Sequence, residues 1–405
     1  MICIDNVSLR KITNSIFHIN ILNKNNNLII IDILFIIIYY FFKLYKMSSY
    51  QFISYETVII YTSDEKIHSN KIISFDLDDT LISTKSKNIF AKNSDDWQWN
   101  IGCKEKITEL YNNSYSIIIF SNQKNILKNA NKLSILKDKI EKIVNTLDFP
   151  IQIYISTTDD LYRKPEINMW KLMCKFNKII PDLEHCEYIG DAAGRANDFS
   201  CSDRKFAHNI GIHFKTPEEY FMGCKSEEFE WDIPNFSEII TKEIPFNESE
   251  HQEMIILVGY PGSGKSTFAH RYLPNYAYIN NDTTKSVNKS IKLAKLATAN
   301  KQSIVIDNIN SSIKQRVIFI DIANKYHIPV RCIYFDVSER MAKHLNKYRE
   351  RLGIRAHVPD ICYNIYNKNF EYPTKDEGFT EIIIRPFILM PFNNKDEERL
   401  FYMYD

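Results

Sequence analysis

Residues 71–81 read KIISFDLDDTL, an apolar, β-prone run that passes directly into a cluster of acidic side chains. We expect 71–77 to form a buried strand. In open α/β sheets ligands bind at the carboxyl ends of strands, so Asp76 and Asp78 should project at the mouth of a site. Carboxylates this close repel one another unless one is protonated or a cation lies between them, and Mg²⁺ prefers oxygen ligands. The stretch predicts a phosphoryl-transfer site, with Asp76 as nucleophile and Asp78 as general acid and base, or else a solvated Asp-rich turn.

Three later motifs favour the first interpretation. The apolar run IIIFSNQ ends in Ser121 and Asn122, small donors suited to holding a phosphate oxygen. The segment YRKPE supplies Lys164, a fixed positive charge for a phosphoryl group. The segment EYIGDAAGR supplies Asp191, a candidate third carboxylate for the metal.

Taken together and in this order, these four motifs resemble the haloacid dehalogenase superfamily of phosphatases. The resemblance implies an α/β fold and an aspartyl-phosphate mechanism that depends on Mg²⁺. That superfamily usually has glycine after the second Asp, where this chain has Asp79. The substitution predicts an altered turn, although the following Thr80 is retained.

A second site is predicted by EMIILVGYPGSGKST at 253–267, which reads as a strand, a Gly-rich turn and the start of a helix. The pattern Gly-x-x-x-x-Gly-Lys-Ser lets backbone N–H groups of the loop cradle phosphates. Its lysine would reach the β- and γ-phosphates of ATP, and its serine hydroxyl would bind Mg²⁺. The predicted ATP-binding residues are Gly259, Gly262, Gly264, Lys265, Ser266 and Thr267.

Acidic and basic residues beyond this loop are candidates for the rest of a kinase site. Asp282 follows a short apolar strand and would deprotonate an attacking hydroxyl, or else cap the next helix. Asp307 ends the strand-like SIVID, where a second acid near the metal is expected. The run KHLNKYRERLGIR has five basic side chains against one acidic, which predicts either a lid over ATP, with Arg349 as its main residue, or a solvated helix face. Arg316 is a further candidate.

A phosphatase followed by a P-loop kinase in one chain resembles the polynucleotide kinase 3′-phosphatase family. The matching stretches are FDLDDTLI, SNQ, RKP, GDAAGR and DFSCSDR in the first half, and VGYPGSGKSTF, NNDT, DNIN and EGFTEI in the second. The resemblance implies two doubly wound α/β domains, Mg²⁺, ATP as phosphate donor, and a nuclear role in DNA repair. It also implies removal of 3′-phosphates from DNA ends and phosphorylation of 5′-hydroxyls.

Carried over residue by residue, the resemblance assigns Asp76 as covalent nucleophile and Asp78 as acid and base. It gives Lys164 a phosphate contact, makes Asp191 a metal ligand and makes Asp282 the kinase base. Asp203 in DFSCSDR matches a further family acid whose role the resemblance does not assign.

Two departures from the family pattern affect substrate binding. The family often has Arg before the kinase Asp, where this chain has Asn281, so a contact to a substrate phosphate is in question. The family's basic Gly-rich stretch after the second phosphatase motif is replaced by KNILKNANKLS. We predict that its lysines contact the DNA backbone. This lysine patch is Lys124, Lys128 and Lys132.

The composition limits the number of domains and the classes of protein that are compatible with these predictions. At 405 residues, with 44% hydrophobic and 25% charged residues, the chain fits two or three globular domains and argues against wholesale disorder or a multi-span membrane protein. Lys+Arg number 51 and Asp+Glu 50, so any nucleic-acid contact must be local. Eight cysteines without a CxxC pair predict free thiols in a reducing compartment, with a zinc site as the alternative.

The chain is predicted to divide into an N-terminal extension at 1–46, a phosphatase domain at 47–240 and a kinase domain at 241–405. The apolar run at 28–42 is short for a membrane span and contains Asp32, so we favour an extension upstream of Met47 or a dispensable leader over an anchor. Because only about 50 residues precede the matching stretches, we do not expect a counterpart of the forkhead-associated module that vertebrate family members carry.

Three alternatives stay open: RNA end healing, a catalytically silent end-binding scaffold, and a kinase/phosphatase pair acting on small metabolites. The expected partners are DNA ends, with a DNA ligase or repair scaffold as further candidates, and the chain is expected to be a monomer.

Overall fold

The computed structural model describes residues 50–63, 67 and 69–405. The predicted N-terminal extension and the choice between Met1 and Met47 therefore lie outside the described residues. The chain divides into two compact units. Among the described residues, the first contains those up to Thr158, Leu172–Ile189 and Tyr220–Gly223, and the second contains Asp159–Lys171, Gly190–Glu219 and Cys224–Asp405. The predicted domain boundary at residue 240 falls inside the second unit, and the division into domains stays a prediction.

The strands are short and mostly buried. In chain order they are β1 (Gln51–Tyr55), β2 (Val58–Thr62), β3 (Ile72–Phe75), β4 (Ile82–Ser83), β5 (Gln98–Trp99), β6 (Ser116–Asn122), β7 (Gln152–Ser156), β8 (Glu187–Ile189), β9 (His213–Lys215), β10 (Met254–Val258), β11 (Ala277–Ile279), β12 (Ile304–Asp307), β13 (Val330–Asp336) and β14 (Glu381–Pro386).

The helices alternate with these strands along most of the chain, which is the pattern of an α/β fold. In order they are α1 (Cys103–Asn112), α2 (Ala130–Val144), α3 (Asn168–Asn177), α4 (Ser202–Ile210), α5 (Pro217–Met222), α6 (Lys265–Tyr272), α7 (Asn281–Thr284), α8 (Val287–Ala299), α9 (Ile313–Lys325), α10 (Glu339–Arg351), α11 (Asp360–Asn369) and α12 (Lys395–Tyr402).

The strands of the first unit lie in the order β1-β2-β7-β6-β3-β8. β2 pairs antiparallel with β1 and β7, whereas β7, β6, β3 and β8 run parallel. All four residues of β3 are buried, as expected for a central parallel strand covered on both faces. Because β6 and β8 flank β3 and run parallel to it, the carboxyl ends of these three strands lie at one edge of the sheet.

The second unit contains a parallel sheet in the order β11-β12-β10-β13-β14. Successive side chains of β10 alternate between two apolar clusters, because strand side chains point to opposite faces. Ile256 packs in a cluster with Phe319 of α9, and Leu257 packs in the other with Phe268 of α6. Helices therefore cover both faces of this sheet, and the predicted α/β fold class is confirmed.

Two further findings bear on the expectations from composition. All seven cysteines among the described residues are free thiols. In the part of the chain that the structure describes, no helix combines the length and the apolar character that crossing a membrane would require.

Candidate active sites

The first candidate site begins where β3 ends. The Asp76 N–H donates to the carbonyl of Ile189 on β8 at 2.9 Å, so the residue stays in register with the sheet. The chain then turns back, because the N–H groups of Leu81 and Ile82 both donate to the Leu77 carbonyl, at 3.0 and 3.1 Å. Leu77 and Leu81 are fully buried, which anchors the turn and sets the acidic residues at the sheet edge.

Asp79 occupies the position where the haloacid dehalogenase superfamily usually has glycine. Its φ is 58°, in the left-handed region that glycine enters without steric cost and that Asp tolerates better than most residues. The turn therefore keeps the conformation that the glycine would allow. Burial, reinforced by the charge of Asp78 and opposed by Lys139, raises the pKa of Asp79.

Asp78 is held by two side chains that the sequence did not single out as partners. Lys139 of α2 donates to its Oδ1 at 2.9 Å, and Gln123 donates to its Oδ2 at 2.7 Å. Lys139 is only 8% exposed, so it is an interior cation beside Asp78. The same Gln123 amide contacts Ser121 Oγ at 3.1 Å. The predicted phosphate-binding residues Ser121 and Asn122 thus end β6, next to the strand that carries Asp76.

Lys164 forms a buried ion pair in the second unit. Its Nζ lies 2.7 Å from Asp203 Oδ1, and both side chains are 2% exposed. The other oxygen of Asp203 accepts from the Ala192 N–H at 3.2 Å. At Gly190 a Cβ would stand 2.3 Å from Asp203 Oδ2, so the close approach of this loop to α4 requires glycine. Asp203 therefore holds the Lys164 side chain in place through this ion pair.

Asp191 lies in the same loop, which is braced by an arginine. The Asp191 carbonyl accepts from Ala193 N at 2.9 Å and from Arg195 Nη2 at 3.3 Å. Arg195 in turn donates to Asp198 and Glu218. Sequence reasoning did not identify this support.

The phosphate-binding loop of the second unit connects β10 to α6. Lys265 donates to the carbonyls of Gly259 and Tyr260, at 2.8 and 2.6 Å. Burial lowers the pKa of Lys265 to about 8, opposed by the nearby carboxylate of Asp307. Gly262 has a φ of 89°, and a Cβ there would lie 2.6 Å from the Ala342 carbonyl on α10. The loop can therefore wrap around Lys265 and pack against α10 only with glycine at position 262.

Asp307 lies at the end of β12 and receives three hydrogen bonds on its Oδ2. Ser266 Oγ donates to it at 2.6 Å, Tyr278 at 2.5 Å and Asn280 at 3.3 Å. Its other oxygen, Oδ1, is buried and has no hydrogen-bond partner among the residues that the structure describes. An unpaired buried carboxylate oxygen beside a serine hydroxyl suits a hard divalent cation such as Mg²⁺.

Asp282, the predicted kinase base, lies on α7 and is 67% exposed. Its Oδ2 contacts the guanidinium of Arg355, a residue of the basic run that sequence reasoning did not separate from its neighbours. Arg349 of α10 lines a cavity of about 360 Å³ together with Gly262 and Thr267. Burial, followed by the charge of Arg355, lowers the pKa of Arg349.

Two further predictions concern basic residues outside these clusters. Arg316 is fully buried, where it donates to both oxygens of Glu377 at 2.7 Å and to the Asn310 carbonyl at 3.0 Å. These contacts support a structural role and give no support to the functional one. The lysine patch lies just before α2 and in its first turn, and it is exposed at all three positions, Lys124, Lys128 and Lys132.

These folds and sites define a phosphatase of the haloacid dehalogenase type joined to a P-loop kinase. The family described as "Polynucleotide kinase 3 phosphatase" matches residues 71–221, and the family described as "AAA domain" matches residues 274–373. The bifunctional polynucleotide phosphatase/kinase of Schizosaccharomyces pombe is 40% identical over 332 residues, which are 79% of this chain and 80% of that protein. The chain belongs to the family of bifunctional polynucleotide phosphatase/kinases, and the predicted resemblance is confirmed.

Two other comparisons cover less of the chain. The polynucleotide 3′-phosphatase ZDP of Arabidopsis thaliana is 37% identical over 187 residues, which are 42% of this chain and 26% of that protein. The structure of D,D-heptose 1,7-bisphosphate phosphatase from B. bronchiseptica, complexed with magnesium and phosphate, is 17% identical. It covers 36% of this chain and 78% of that one, with a TM-score of 0.28.

Proposed function

We propose that this enzyme prepares broken DNA ends for ligation by removing 3′-phosphates and phosphorylating 5′-hydroxyls with ATP. The observation that supports the proposal most directly is that one chain contains two separate groups of residues suited to phosphoryl transfer. One is the Asp76 and Asp78 turn with Lys139 and Gln123, and the other is the Lys265 loop. The S. pombe relative bears both activities in its name.

In the phosphatase reaction, Asp76 attacks the phosphorus and the bond to the 3′-oxygen breaks, which leaves an aspartyl-phosphate. Asp78 gives a proton to the departing oxygen and then takes one from the water that hydrolyses the intermediate. Lys139 and Gln123 hold the Asp78 carboxylate in place for both transfers. Lys164, oriented by Asp203, supplies positive charge for the phosphoryl oxygens.

Mg²⁺ fits both sites by the chemistry of their donors. In the phosphatase, Asp76 and Asp191 are the carboxylates that would hold the ion, and oxygen is the ligand that Mg²⁺ prefers. We assign proton transfer to Asp78, whose carboxylate Lys139 and Gln123 hold in place. In the kinase, Ser266 and Asp307 would hold the ion. When bound, Mg²⁺ neutralises charge on the phosphate oxygens.

In the kinase reaction, Asp282 accepts the proton of the 5′-hydroxyl. The hydroxyl oxygen then bonds to the γ-phosphorus, and the bond between that phosphorus and the β-phosphate oxygen of ADP breaks. Lys265 and the backbone of its loop hold the β- and γ-phosphates. Arg349 lies beside Gly262 and stabilises the negative charge of the transferring group. The cavity that both residues line has room for the nucleoside part of ATP.

Location and partners follow from this assignment. A nuclear role in DNA repair, action as a monomer, and hand-over of the product to a DNA ligase or repair scaffold are parts of the proposal. The lysine patch is assigned to the DNA backbone.

The test uses a nicked duplex bearing a 3′-phosphate and a 5′-hydroxyl, with ATP and Mg²⁺. Asp76→Asn should abolish only 3′-dephosphorylation, and Lys265→Ala only 5′-phosphorylation, because the two reactions use different residues. Lys325→Ala, an exposed position on α9, is the matched control and should retain both.

Loss of both reactions in either single variant would contradict independent sites. The same nick built from RNA separates the nearest alternative: a preference for RNA ends over DNA ends would assign the enzyme to RNA end healing.

A further inference from the structure

Asn281 lies directly before Asp282, at the position where the family resemblance predicts an arginine in contact with a substrate phosphate. Its side-chain oxygen accepts from Ser290 Oγ at 2.7 Å, and Ser290 of α8 is fully buried. Its N–H donates to Asn308 at 2.8 Å. The Asn281 amide is thus fixed against α8 and carries no charge, so it cannot replace the missing cation.

Arg355 brings a cation to the same place from another part of the chain. Helix α10 ends at Arg351, and Gly353, with a φ of 67°, turns the chain so that the following segment approaches α7. The Arg355 Nη2 contacts Asp282 Oδ2, one residue beyond Asn281. Arg355 is 47% exposed, so its guanidinium faces solvent on one side and Asp282 on the other.

A phosphate can displace Asp282 from its ion pair with Arg355. Exposed ion pairs of this type contribute little to the stability of a protein. A guanidinium has five N–H donors in a planar fork, and this geometry matches two oxygens of a phosphate. Charge-assisted bidentate bonds of that type are stronger than the exposed pair. A polynucleotide that brings a phosphate to Arg355 would therefore release Asp282.

We propose that Arg355 binds the phosphodiester nearest the 5′-hydroxyl and so takes over the substrate contact that Asn281 cannot make. This inference rests on the proposed kinase function. With the hydroxyl beside Asp282, that phosphodiester lies one sugar away, within the reach of the neighbouring arginine. Its binding draws Arg355 from Asp282 and leaves the carboxylate to accept the hydroxyl proton. The polynucleotide chain, and not the terminal nucleoside alone, would then complete the site.

The test compares two 5′-hydroxyl oligonucleotides that differ only in the first internucleotide linkage, a phosphodiester in one and an uncharged methylphosphonate in the other. For the wild-type enzyme, removal of the charge should lower kcat/KM roughly 10- to 100-fold, the range for a charged hydrogen bond. Arg355→Gln should lower kcat/KM for the phosphodiester by a similar factor. It should then show no further loss with the methylphosphonate, because the two changes remove the same contact.

Two more variants make the result specific. Lys325→Gln removes one exposed positive charge elsewhere in the second unit and should behave as wild type on both oligonucleotides. Asn281→Arg in the Arg355→Gln background should restore activity and sensitivity to the linkage, since it returns a cation to the position beside Asp282.

The outcomes separate this inference from the proposed function. If wild type phosphorylates both oligonucleotides and Arg355→Gln keeps the full sensitivity to the linkage, Arg355 does not bind this phosphate and the inference is overturned alone. If wild type phosphorylates neither oligonucleotide, the kinase assignment fails and the inference fails with it.

Discussion

Arg351 and Glu166 form a buried ion pair across 185 residues of sequence. Arg351 Nη2 donates to Glu166 Oε1 at 2.7 Å, and its Nε donates to both carboxylate oxygens at 3.1 and 3.2 Å. The side chains are 2% and 6% exposed. Arg351 also donates to the carbonyls of Leu400 and Met403, so its positive charge is fully engaged. The pair ties the segment containing Lys164 to the helix containing Arg349.

Glu166→Gln should therefore destabilise the protein strongly. The change leaves Arg351 charged and buried without its counter-ion, a situation that costs about 3–5 kcal/mol. Urea denaturation measures the free energy of unfolding. Arg351→Met in the Glu166→Gln background should lose less than the sum of the two single changes, because the double variant buries no lone charge.

Glu109→Gln is the matched control for this experiment. Glu109 is 58% exposed and pairs with Lys106 on the surface of α1, so its loss should change the free energy of unfolding by about 0.5 kcal/mol or less. Equal effects for Glu166→Gln and Glu109→Gln would show that the buried pair contributes no more than a surface one.

Lys139→Met should impair the phosphatase while leaving the kinase intact. Without the ammonium group, Asp78 loses the cation beside it and the neighbouring acidic residues repel one another. We expect kcat for 3′-dephosphorylation to fall roughly 10- to 100-fold, part of the general acid–base contribution, with little change in KM. Lys142→Met on the same helix removes an exposed lysine that pairs with Asp95 and should retain full activity. A Lys139→Met enzyme with wild-type kcat would remove Lys139 from the proton-transfer machinery.

Asp79→Asn should raise the free energy of unfolding at pH 7, and this gain over wild type should disappear at acidic pH. Burial and the charge of Asp78 raise the pKa of Asp79 above its usual 3.8, so the folded state favours the protonated form. Stability from such a group is present below the pKa of the unfolded chain and is lost as pH rises through the folded value. Asn carries no such charge and also tolerates the left-handed φ of 58°.

Urea denaturation at pH 7, 5 and 3.5 checks this prediction. The difference between Asp79→Asn and wild type should shrink as pH falls. Asp79→Gly removes the same carboxylate and should show the same trend, shifted by the different backbone entropy of glycine. A gain that is constant with pH in both variants would trace the effect to the backbone conformation instead of to the charge.

The elements that could be predicted from sequence are those in which an apolar run ends in a chemical motif. β3 with Asp76 and β10 with the Lys265 loop are of this kind, because strand burial and turn chemistry are local properties. The partners of these motifs are not local. Lys139 lies 61 residues from Asp78 and Arg355 lies 73 residues from Asp282. A lysine in a basic run has the same sequence signature whether it is buried against a carboxylate or solvated.

Arg316 is a second basic residue whose environment could not be predicted from the sequence. The sequence makes it a further candidate site residue, and in the structure its guanidinium pairs in the interior with Glu377, which lies 61 residues away. Asp79 shows that a departure from a motif need not change the backbone, since its φ remains in the region that glycine would occupy.

The lysine patch at the start of α2 can be tested through the salt dependence of DNA binding. Each lysine that neutralises a phosphate releases counterions, so the slope of log K against log salt falls by about 0.7 per contact for single strands. Replacement of all three lysines by Gln should reduce the slope by about 2 if each contacts the backbone. The triple control replaces Lys171, Lys175 and Lys178, which are exposed on α3 and just beyond it. Both triple variants lower the net charge equally, so a purely global electrostatic effect would change both slopes alike. Only a reduced slope confined to the first variant assigns the DNA backbone to this patch.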